Sequence, residues 1–383
     1  MWRYSRIDEL QLDDFAIQPD DEVVAGVGGS ASVAGGLDTV TPAATIDLVD
    51  GRLVAASAAP GLTISSSRGP DDLDHVLGAV AGDGSEPFVD LNTAFTPEVV
   101  VITAARGAEV VGPVLLTHHV TADGAAVFPR IVVQAGEGSR VTILERSVSA
   151  DIHALVVPVV ELDVARGAQL SYLSLQELGP RVWQLANQVS RVGQEATLLA
   201  GSVALGGDYA RLRTDCRLEG RGATGTLLAA YFGEGHQSLD FRTFQDHRAP
   251  DTTSNLLFKG VVGDHSRSVY TGLIRVRKEA RGTNAFQTNR NIKLSEHAWA
   301  ESVPNLEIEN NDVHCSHAST VGPIDDDQRF YLESRGVPPL VAERLVVAGF
   351  FDEVITQLPV EGLADPLRVR INEKIDRAGS EAA

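Results

Sequence analysis

The feature that most constrains the fold is an internal repeat, in which a strand, a glycine turn and a second strand recur every 26 to 31 residues. The segment PRIVVQAGEGSRVTIL begins at Pro129, and PVVELDVARGAQLSYL begins 29 residues later at Pro158. Their turn glycines, Gly138 and Gly167, keep the same offset. Such periods are typical of solenoids whose coils stack on one another. The repeat therefore predicts a mainly β chain with a parallel β-helix core. A β-sandwich of similar hairpins is the alternative.

The sequence divides into three parts around this repeat. Residues 1–45 are interpreted as an N-terminal arm or short helix with a flexible loop, residues 46–322 as the β-helix core, and residues 323–383 as a small C-terminal α-helical domain. Asp50-Gly51 lies between two runs of alternating apolar residues, which predicts a hairpin. Prolines followed by apolar residues at helical spacing predict the C-terminal helices. Their apolar faces are either core or a docking surface.

Charge and composition exclude several classes of function. The chain has a formal net charge of −20 and no block of Lys or Arg, so a nucleic-acid backbone would be repelled. The N-terminal sequence is too polar for a signal peptide, and no apolar run is long enough to span a membrane. Two cysteines, Cys216 and Cys315, are too few for a disulfide framework and are expected to be reduced thiols. These features predict a cytoplasmic protein that binds neither nucleic acid nor membrane.

Motifs for common cofactors and catalytic groups are missing or stand in the wrong context. GVGGSA, residues 26–31, matches a dinucleotide-binding pattern, but the sequence after it is a poor helix. The chain contains no GxxxxGK[ST] loop, no GxSxG and no HExxH. His118 and His119 are neighbours on an expected strand and face opposite ways, which favours structural roles. No catalytic residue is predicted.

The segment NNDVHCSHASTVG, residues 310–322, is the strongest candidate site. It is interpreted as a strand after an Asn-Asn turn, with Cys315 and His317 on one face and His314 on the other. Residues two apart in a strand have Cα atoms about 6.7 Å apart, a spacing that suits a thiolate and an imidazole on one metal ion or sulfur species. A packed cysteine beside a hydrogen-bonded histidine is the structural alternative.

Cys315 and His317 offer only part of a ligand set. Iron–sulfur clusters usually take about four ligands, mostly thiolates, and the other cysteine, Cys216, lies 99 residues earlier. The pattern therefore indicates half a site that a second subunit completes. This arrangement fits an assembly scaffold better than a protein that holds a cluster alone.

The same region carries a family resemblance. The block that begins with PNLEIENNDVHCSHASTVG and ends with VVAGFFDEV, residues 304–354, closely resembles SufD proteins of the SufB/SufD iron–sulfur cluster assembly family. The segment from DHRAPDTTSNLLFKG onward extends this resemblance, and WRYSRIDEL is similar to the W-[RK]-Y-[ST] start of the family's β region. The paralogous SufB proteins have LEHEAT where this chain has CSHAST, so the SufD branch is the better match. A SufB-like scaffold is the nearest alternative.

The resemblance implies a fold, partners and site residues. The fold would be a right-handed parallel β-helix with a C-terminal helical domain, in agreement with the repeat. A SufB-like subunit would pair through the β-helices, and a SufC-like ABC ATPase would dock on the C-terminal helices. Clusters would form at the SufB–SufD interface, with His317 and Cys315 as transient metal ligands. The ATPase-docking region is expected at Tyr331, Arg335, Leu345 and Phe351.

The implied role is that of a non-catalytic subunit, because ATP hydrolysis would belong to the SufC-like partner. No cofactor is expected to be tightly bound; a transient cluster is expected at the interface, and reduced flavin is left open. Many SufD chains have a helical segment before the W-[RK]-Y motif, so here it is either absent or the start codon is placed late. Two other functions are a purely structural partner of the ATPase and a carbohydrate-acting β-helix enzyme. The enzyme is disfavoured because a signal peptide is lacking.

Overall fold

A computed structural model describes residues 4–17, 37–68, 76–82 and 86–380, with the backbone alone for 378–380. The GVGGSA motif and most of the loop around it lie outside these residues. Strands make up 51% of the structure and stack as a parallel β-solenoid of about 8 turns, followed by a small helical part. The prediction of a parallel β-helix is confirmed, and the β-sandwich alternative is wrong.

Two long sheets form the sides of the solenoid. The strands are β1 (Ala16–Ile17), β2 (Ala44–Val49), β3 (Arg52–Ala56), β4 (Leu62–Ser67), β5 (Val99–Ala104), β6 (Glu109–Val120), β7 (Ala125–Val127), β8 (Arg130–Ala135), β9 (Arg140–Ser149), β10 (Ala154–Val156), β11 (Val159–Val164), β12 (Gln169–Glu177), β13 (Val182–Val192), β14 (Thr197–Ala204), β15 (Tyr209–Leu218), β16 (Thr224–Gly233), β17 (Ser238–His247), β18 (Thr253–Val262), β19 (Arg267–Val276), β20 (Thr283–Lys293), β21 (Trp299–Ile308) and β22 (Val313–Pro323). The first sheet has the order β21-β19-β17-β15-β13-β11-β8-β5-β4, with β10, β7 and β1 beside it. The second has the order β22-β20-β18-β16-β14-β12-β9-β6-β2-β3.

The strand register reproduces the sequence repeat. β8 pairs with β11 so that Arg130 lies opposite Val159, an offset of 29 residues. At the corners between the sheets, Gly138 and Gly167 have φ angles of +69° and +65°. Residues with a side chain adopt this conformation only at a cost, which explains why glycine recurs at these corners.

The interior of the solenoid is apolar over most of its length. Alternation along each strand places every second side chain inside. Full burial of one such aliphatic side chain contributes about 1.5–3 kcal/mol to the stability of the fold. The inward side chains of neighbouring coils form one apolar cluster, through which the stacked coils stabilise each other. Its members include Ile102, Val133, Leu162, Leu170, Leu198, Leu218, Leu227, Leu239 and Phe241.

The chain caps the first coil itself. β3 folds back antiparallel on β2 through Asp50 and Gly51, so the predicted hairpin is confirmed. β4 runs antiparallel to β5. Leu53, Leu62 and Ile64 of the reversed strands pack against the interior cluster. We call this capped coil the first end of the solenoid, and the coil of β21 and β22 the last end.

A buried ion pair fixes the segments that cover the first sheet near the first end. Glu161 on β11 and Arg130 on β8 are fully buried and lie 2.6 Å apart. Glu161 also accepts hydrogen bonds from three backbone N–H groups of residues 76–82. Arg130 donates to Asn92 of α1 (Pro87–Phe95) at 3.1 Å. Both charges are therefore paired, as burial requires.

Three helices follow the last strand: α2 (Asp326–Glu333), α3 (Pro339–Ile355) and α4 (Ala364–Ser380). The predicted helical region is thus present, and Asp325 caps α2 by accepting two backbone hydrogen bonds. No helix among the described residues is long and apolar enough to cross a membrane. α3 and α4 pack on the outer face of the second sheet. Their buried apolar side chains are Val347, Phe351, Val354, Ile355, Leu367, Ile371 and Ile375.

Two buried lysines anchor these helices to the solenoid. Lys374 on α4 is 3% exposed and donates to the carbonyl oxygen of Leu205 at 2.7 Å and to Glu234 at 2.9 Å. Burial lowers the pKa of Lys374, and the Glu234 carboxylate opposes that shift. Lys259 on β18 forms an ion pair with Glu353 on α3. The helical part is therefore held to the second sheet by charge as well as by apolar contact.

Candidate functional site

The candidate segment forms β22, the last strand of the second sheet. In the described part of the chain, β22 is hydrogen-bonded only to β20, and β21 only to β19. The predicted turn precedes β22, where the Asn310 side chain accepts a hydrogen bond from the backbone N–H of Asp312 at 2.8 Å. The last end therefore presents two strand edges and the inner side of its coil to solvent.

The inward side chains of the last coil surround an opening that we call the mouth. Those of β22 are Val313, Cys315, His317, Ser319 and Val321. Cys315 lies in register with Ala285 and His317 with Gln287, both buried in the coil beneath. His314 points to the other face, because side chains alternate along a strand. The prediction that Cys315 and His317 share one face of a strand is confirmed.

The mouth has an apolar side, which contains Cys315. With Leu306 and Val313, this cysteine packs against the buried residues Ile274 and Ala285. Partial burial raises the pKa of the Cys315 thiol, and a backbone hydrogen bond with Ala285 opposes the rise. Because the thiolate is the form that binds metal, Cys315 needs a nearby metal ion or positive charge to become a ligand.

Further along β22 the lining of the mouth becomes polar, and His317 lies in this part. Gln287 is in register beneath it, and Asn289 and Asn291 follow along β20. Asn291 donates to Asn289 at 2.8 Å and accepts from the Tyr231 hydroxyl at 2.7 Å. The imidazole of His317 is exposed and has no hydrogen-bond partner among the described residues. It is therefore accessible to a metal ion, a proton or a partner chain.

Other sequence candidates lie away from the mouth. Cys216 is a free, fully buried thiol whose sulfur occupies the space that a Cβ at Gly225 would need, and burial raises its pKa to about 11. His118 is buried, accepts a hydrogen bond from the backbone N–H of Gly51 at 3.1 Å, and has its pKa lowered by burial to about 4. Both groups are neutral parts of the core, as expected for His118 from its place on a strand.

Ligand groups do not converge elsewhere in the part of the chain that the structure describes. It contains no group of three or more His, Cys, Asp or Glu side chains placed to hold a metal ion. Cys315 and His317 share a face but bring two ligands at most. Their role as transient metal ligands stays a prediction.

The residues predicted to bind an ATPase fall into two environments. Tyr331 and Leu345 are 55% and 50% exposed, and the Arg335 guanidinium lies over the Tyr331 ring at 4.4 Å. Phe351 differs, because it is 1% exposed and packs near Phe232 in the contact between α3 and the second sheet. α3 is apolar on two sides, and the sequence did not distinguish the side that faces the solenoid. Phe351 therefore supports the helix from beneath and is not part of its exposed face.

A groove of about 930 Å³ joins these exposed helical residues to the last end. Lys259, Arg290 and Thr320 line it on the solenoid side, and Tyr331 and Leu345 line it on the helical side. Thr320 belongs to β22 itself. The helical face and the mouth are therefore adjacent, although they are separate surfaces.

Comparison with known proteins agrees with this architecture. Residues 118–350 match the family model described as the SUF system FeS cluster assembly, SufBD core domain. An iron–sulfur cluster assembly SufBD family protein of Mycobacterium tuberculosis is 34% identical over 84% of this chain and 82% of its own length. The iron–sulfur cluster assembly protein SufD of Escherichia coli is 30% identical over 85% of this chain and 78% of its own length. SufD of Bacillus subtilis is 28% identical over 70% of this chain and 62% of its own length.

The family model spans more than half of the chain and includes β22 with its Cys315 and His317. The solenoid, its open last end and the relatives named SufD all agree with the resemblance seen in the sequence. The chain belongs to the SufBD family of iron–sulfur cluster assembly proteins and is similar to SufD.

Proposed function

We propose that this protein is a SufD-like scaffold subunit, and that nascent iron–sulfur clusters form at its last end against a SufB-like partner. The observation that carries the proposal is the open mouth. Here Cys315 and His317 lie on the inner face of a coil whose outer edge has no neighbouring strand in the described structure. A closed coil would bury these side chains, whereas an open coil lets a second subunit complete the ligand set.

The strand edges support pairing with another β-helix. β21 and β22 each leave a row of backbone N–H and C=O groups without a neighbouring strand in the described structure. Such edges favour addition of strands from another chain. Ile308 and Val321 are 44% and 39% exposed at these edges, so pairing would also bury apolar surface. A SufB-like subunit is the proposed occupant because the family's assembly system supplies it.

The exposed face of α2 and α3 supports the contact with a SufC-like ABC ATPase. Phe330, Tyr331, Leu340 and Leu345 are 70%, 55%, 73% and 50% exposed. An apolar face of this kind on a surface helix commonly marks a binding site. ATP hydrolysis by the partner would move the two scaffold subunits relative to each other, and this chain would turn over no substrate of its own.

His317 would act as a metal ligand or proton acceptor, because a neutral imidazole is a good donor for iron and its free nitrogen can accept a proton. Cys315 would become a soft ligand when metal or a charge from the partner favours its thiolate. The cluster is cargo in this proposal and not a resident cofactor. Reduced flavin would be a further ligand of the complex. The cytoplasmic location stays a prediction.

The direct test replaces His317 with Ala in the complex with the two partners. We expect His317→Ala to abolish cluster assembly, measured anaerobically by absorbance, while the complex still co-purifies. His314→Ala is the matched control, since His314 is exposed on the outward face of the same strand. Normal assembly by the His317→Ala complex would rule out the ligand role.

ATPase docking is tested with Leu345→Glu. A carboxylate at the centre of an apolar contact should weaken binding of the SufC-like partner by more than about tenfold, which corresponds to about 1.4 kcal/mol. Val369→Glu is the control, because Val369 is an equally exposed apolar residue on α4. If Leu345→Glu and Val369→Glu bind the ATPase equally well, the docking face lies elsewhere.

A further inference from the structure

The solenoid interior becomes polar toward the last end, and some of its polar groups have no partner. The Thr243 and Tyr270 hydroxyls hydrogen-bond to each other at 2.9 Å. In contrast, both side-chain amide atoms of Gln245 and of Gln287, and the hydroxyl of Ser302, are buried without a hydrogen-bond partner among the described residues. Gln245 and Gln287 are 0% and 1% exposed.

Gln287 lies directly beneath His317. The two residues are in register on β20 and β22, and neighbouring strands of a sheet are about 4.8 Å apart. The amide of Gln287 extends across the interior toward Gly272 on β19, where an added Cβ would collide with that amide and with the Tyr270 hydroxyl. Gly272 therefore provides the space that the amide of Gln287 occupies.

An unpaired amide at this position is costly. A buried donor or acceptor loses its hydrogen bonds to water and gains none in return. Leu or Met would fill the same volume without that loss. Most buried polar groups in proteins are paired with protein or ordered water, and the exceptions call for an explanation. Gln287 lies one strand below the open mouth, so the mouth is the side from which a partner for its amide would enter.

We propose that Gln287 is a positioning residue for His317, and that its amide holds a water molecule that hydrogen-bonds to the imidazole from beneath. Ser302, in register with Tyr270 on the facing sheet, would give this water a further partner. A hydrogen bond to one ring nitrogen fixes the tautomer and leaves the other nitrogen for a ligand. This inference rests on the proposed function, because it assigns Gln287 to the site that His317 defines.

The test compares Gln287→Leu with Gln245→Leu. Neither amide is hydrogen-bonded to a protein group in the described structure, so the thermal midpoint of the isolated chain should change little for both variants. In the complex with the SufB-like and SufC-like partners, only Gln287→Leu should slow cluster assembly, by about tenfold, as loss of a ligand's orienting partner commonly does.

Two further measurements separate a positioning role from a structural one. Gln287→Glu keeps a hydrogen-bonding side chain of the same length, and it should retain more of the assembly rate than Gln287→Leu. A high-resolution crystal structure of the isolated chain should contain a water between Gln287 and His317. The same structure of Gln287→Leu should lack that water and leave the coil unchanged.

Equal assembly rates for Gln287→Leu and Gln245→Leu would overturn the inference. A crystal structure with no water bound to the Gln287 amide would do the same. His317→Ala in the same assay keeps the two claims apart. If His317→Ala assembles clusters normally, the proposed function itself fails. If His317→Ala is inactive while the two leucine variants match, only the role of Gln287 fails.

Discussion

The two ends of the solenoid are built from the same repeat but finish in opposite ways. At the first end, β3 and β4 reverse direction, and Leu53 and Leu62 pack onto the apolar interior. At the last end, β21 and β22 stay parallel to their neighbours and leave their outer edges without a strand in the described structure. A protein that needed only stability would gain by capping both ends. The open end therefore indicates where function requires access.

The histidines illustrate the same difference. His118 near the first end is buried, bonded to the Gly51 backbone and kept neutral by burial. His317 at the last end is exposed and has no bonded partner among the described residues. One imidazole is therefore part of the core, while the other is available for binding.

The largest expected effect on stability is at the first end. Glu161→Ala leaves Arg130 buried without its carboxylate and frees the backbone N–H groups of residues 76–82. Breaking a buried pair in this way should lower the free energy of unfolding by about 3–5 kcal/mol. Urea unfolding of the isolated chain measures this change in the free energy of unfolding. Asp151→Ala, which removes an exposed pair with Arg181, is the control and should cost at most about 1 kcal/mol.

A result below about 1 kcal/mol for Glu161→Ala would contradict the view that the first end is fixed by its buried charges. It would mean that Arg130 finds water or another partner, and the contrast between a sealed and an open end would weaken.

His118 should give the first end a pH-dependent share of stability. Its folded pKa of about 4 lies below the ordinary value of about 6.5, so the unfolded chain takes up a proton first. This contribution is complete above about pH 6.5 and is lost as the pH falls toward 4. At pH 5 the loss is about 2 kcal/mol. His118→Gln should therefore lose about 2 kcal/mol less than the wild type between pH 7 and pH 5.

Urea unfolding at both pH values checks this prediction, with His119→Gln as the neighbouring control. The same loss in His118→Gln and wild type would show that His118 is protonated in the folded chain, contrary to its burial.

The smallest effect on the isolated chain is expected from lysines at the edge strands. Val54 on β3 and Val321 on β22 are 52% and 39% exposed. Val54→Lys and Val321→Lys should each change the free energy of unfolding by less than about 0.5 kcal/mol. Only Val321→Lys should weaken co-purification with a SufB-like subunit, because a lysine at a strand edge discourages pairing. Equal recovery of the partner by both variants would move the pairing surface away from the last end.

Sequence reasoning reached the repeat, the register and the shared face of Cys315 and His317. Those features follow from local rules. A glycine at the corner of each coil fixes the offset between paired strands, and the alternation of side chains along a strand fixes the face on which each residue lies. It did not reach Gln287 or Lys374, because burial of a polar side chain depends on which coil or helix lies over it. The sequence predicts Phe351 on the docking face, although the side chain is buried, because both sides of α3 are apolar and the sequence does not show which side faces the solenoid.

The central claim is that the open last end carries half of a cluster-assembly site. The most direct measurement is anaerobic reconstitution with iron and sulfide, followed by absorbance, on the isolated chain and on the complex co-purified with a SufB-like subunit and an ABC-type ATPase. If a second subunit completes the site, iron–sulfur absorbance should appear in the complex alone and be lost with His317→Ala. Stable absorbance from the isolated chain, or full absorbance from the His317→Ala complex, would show that the last end does not carry half of a cluster-assembly site.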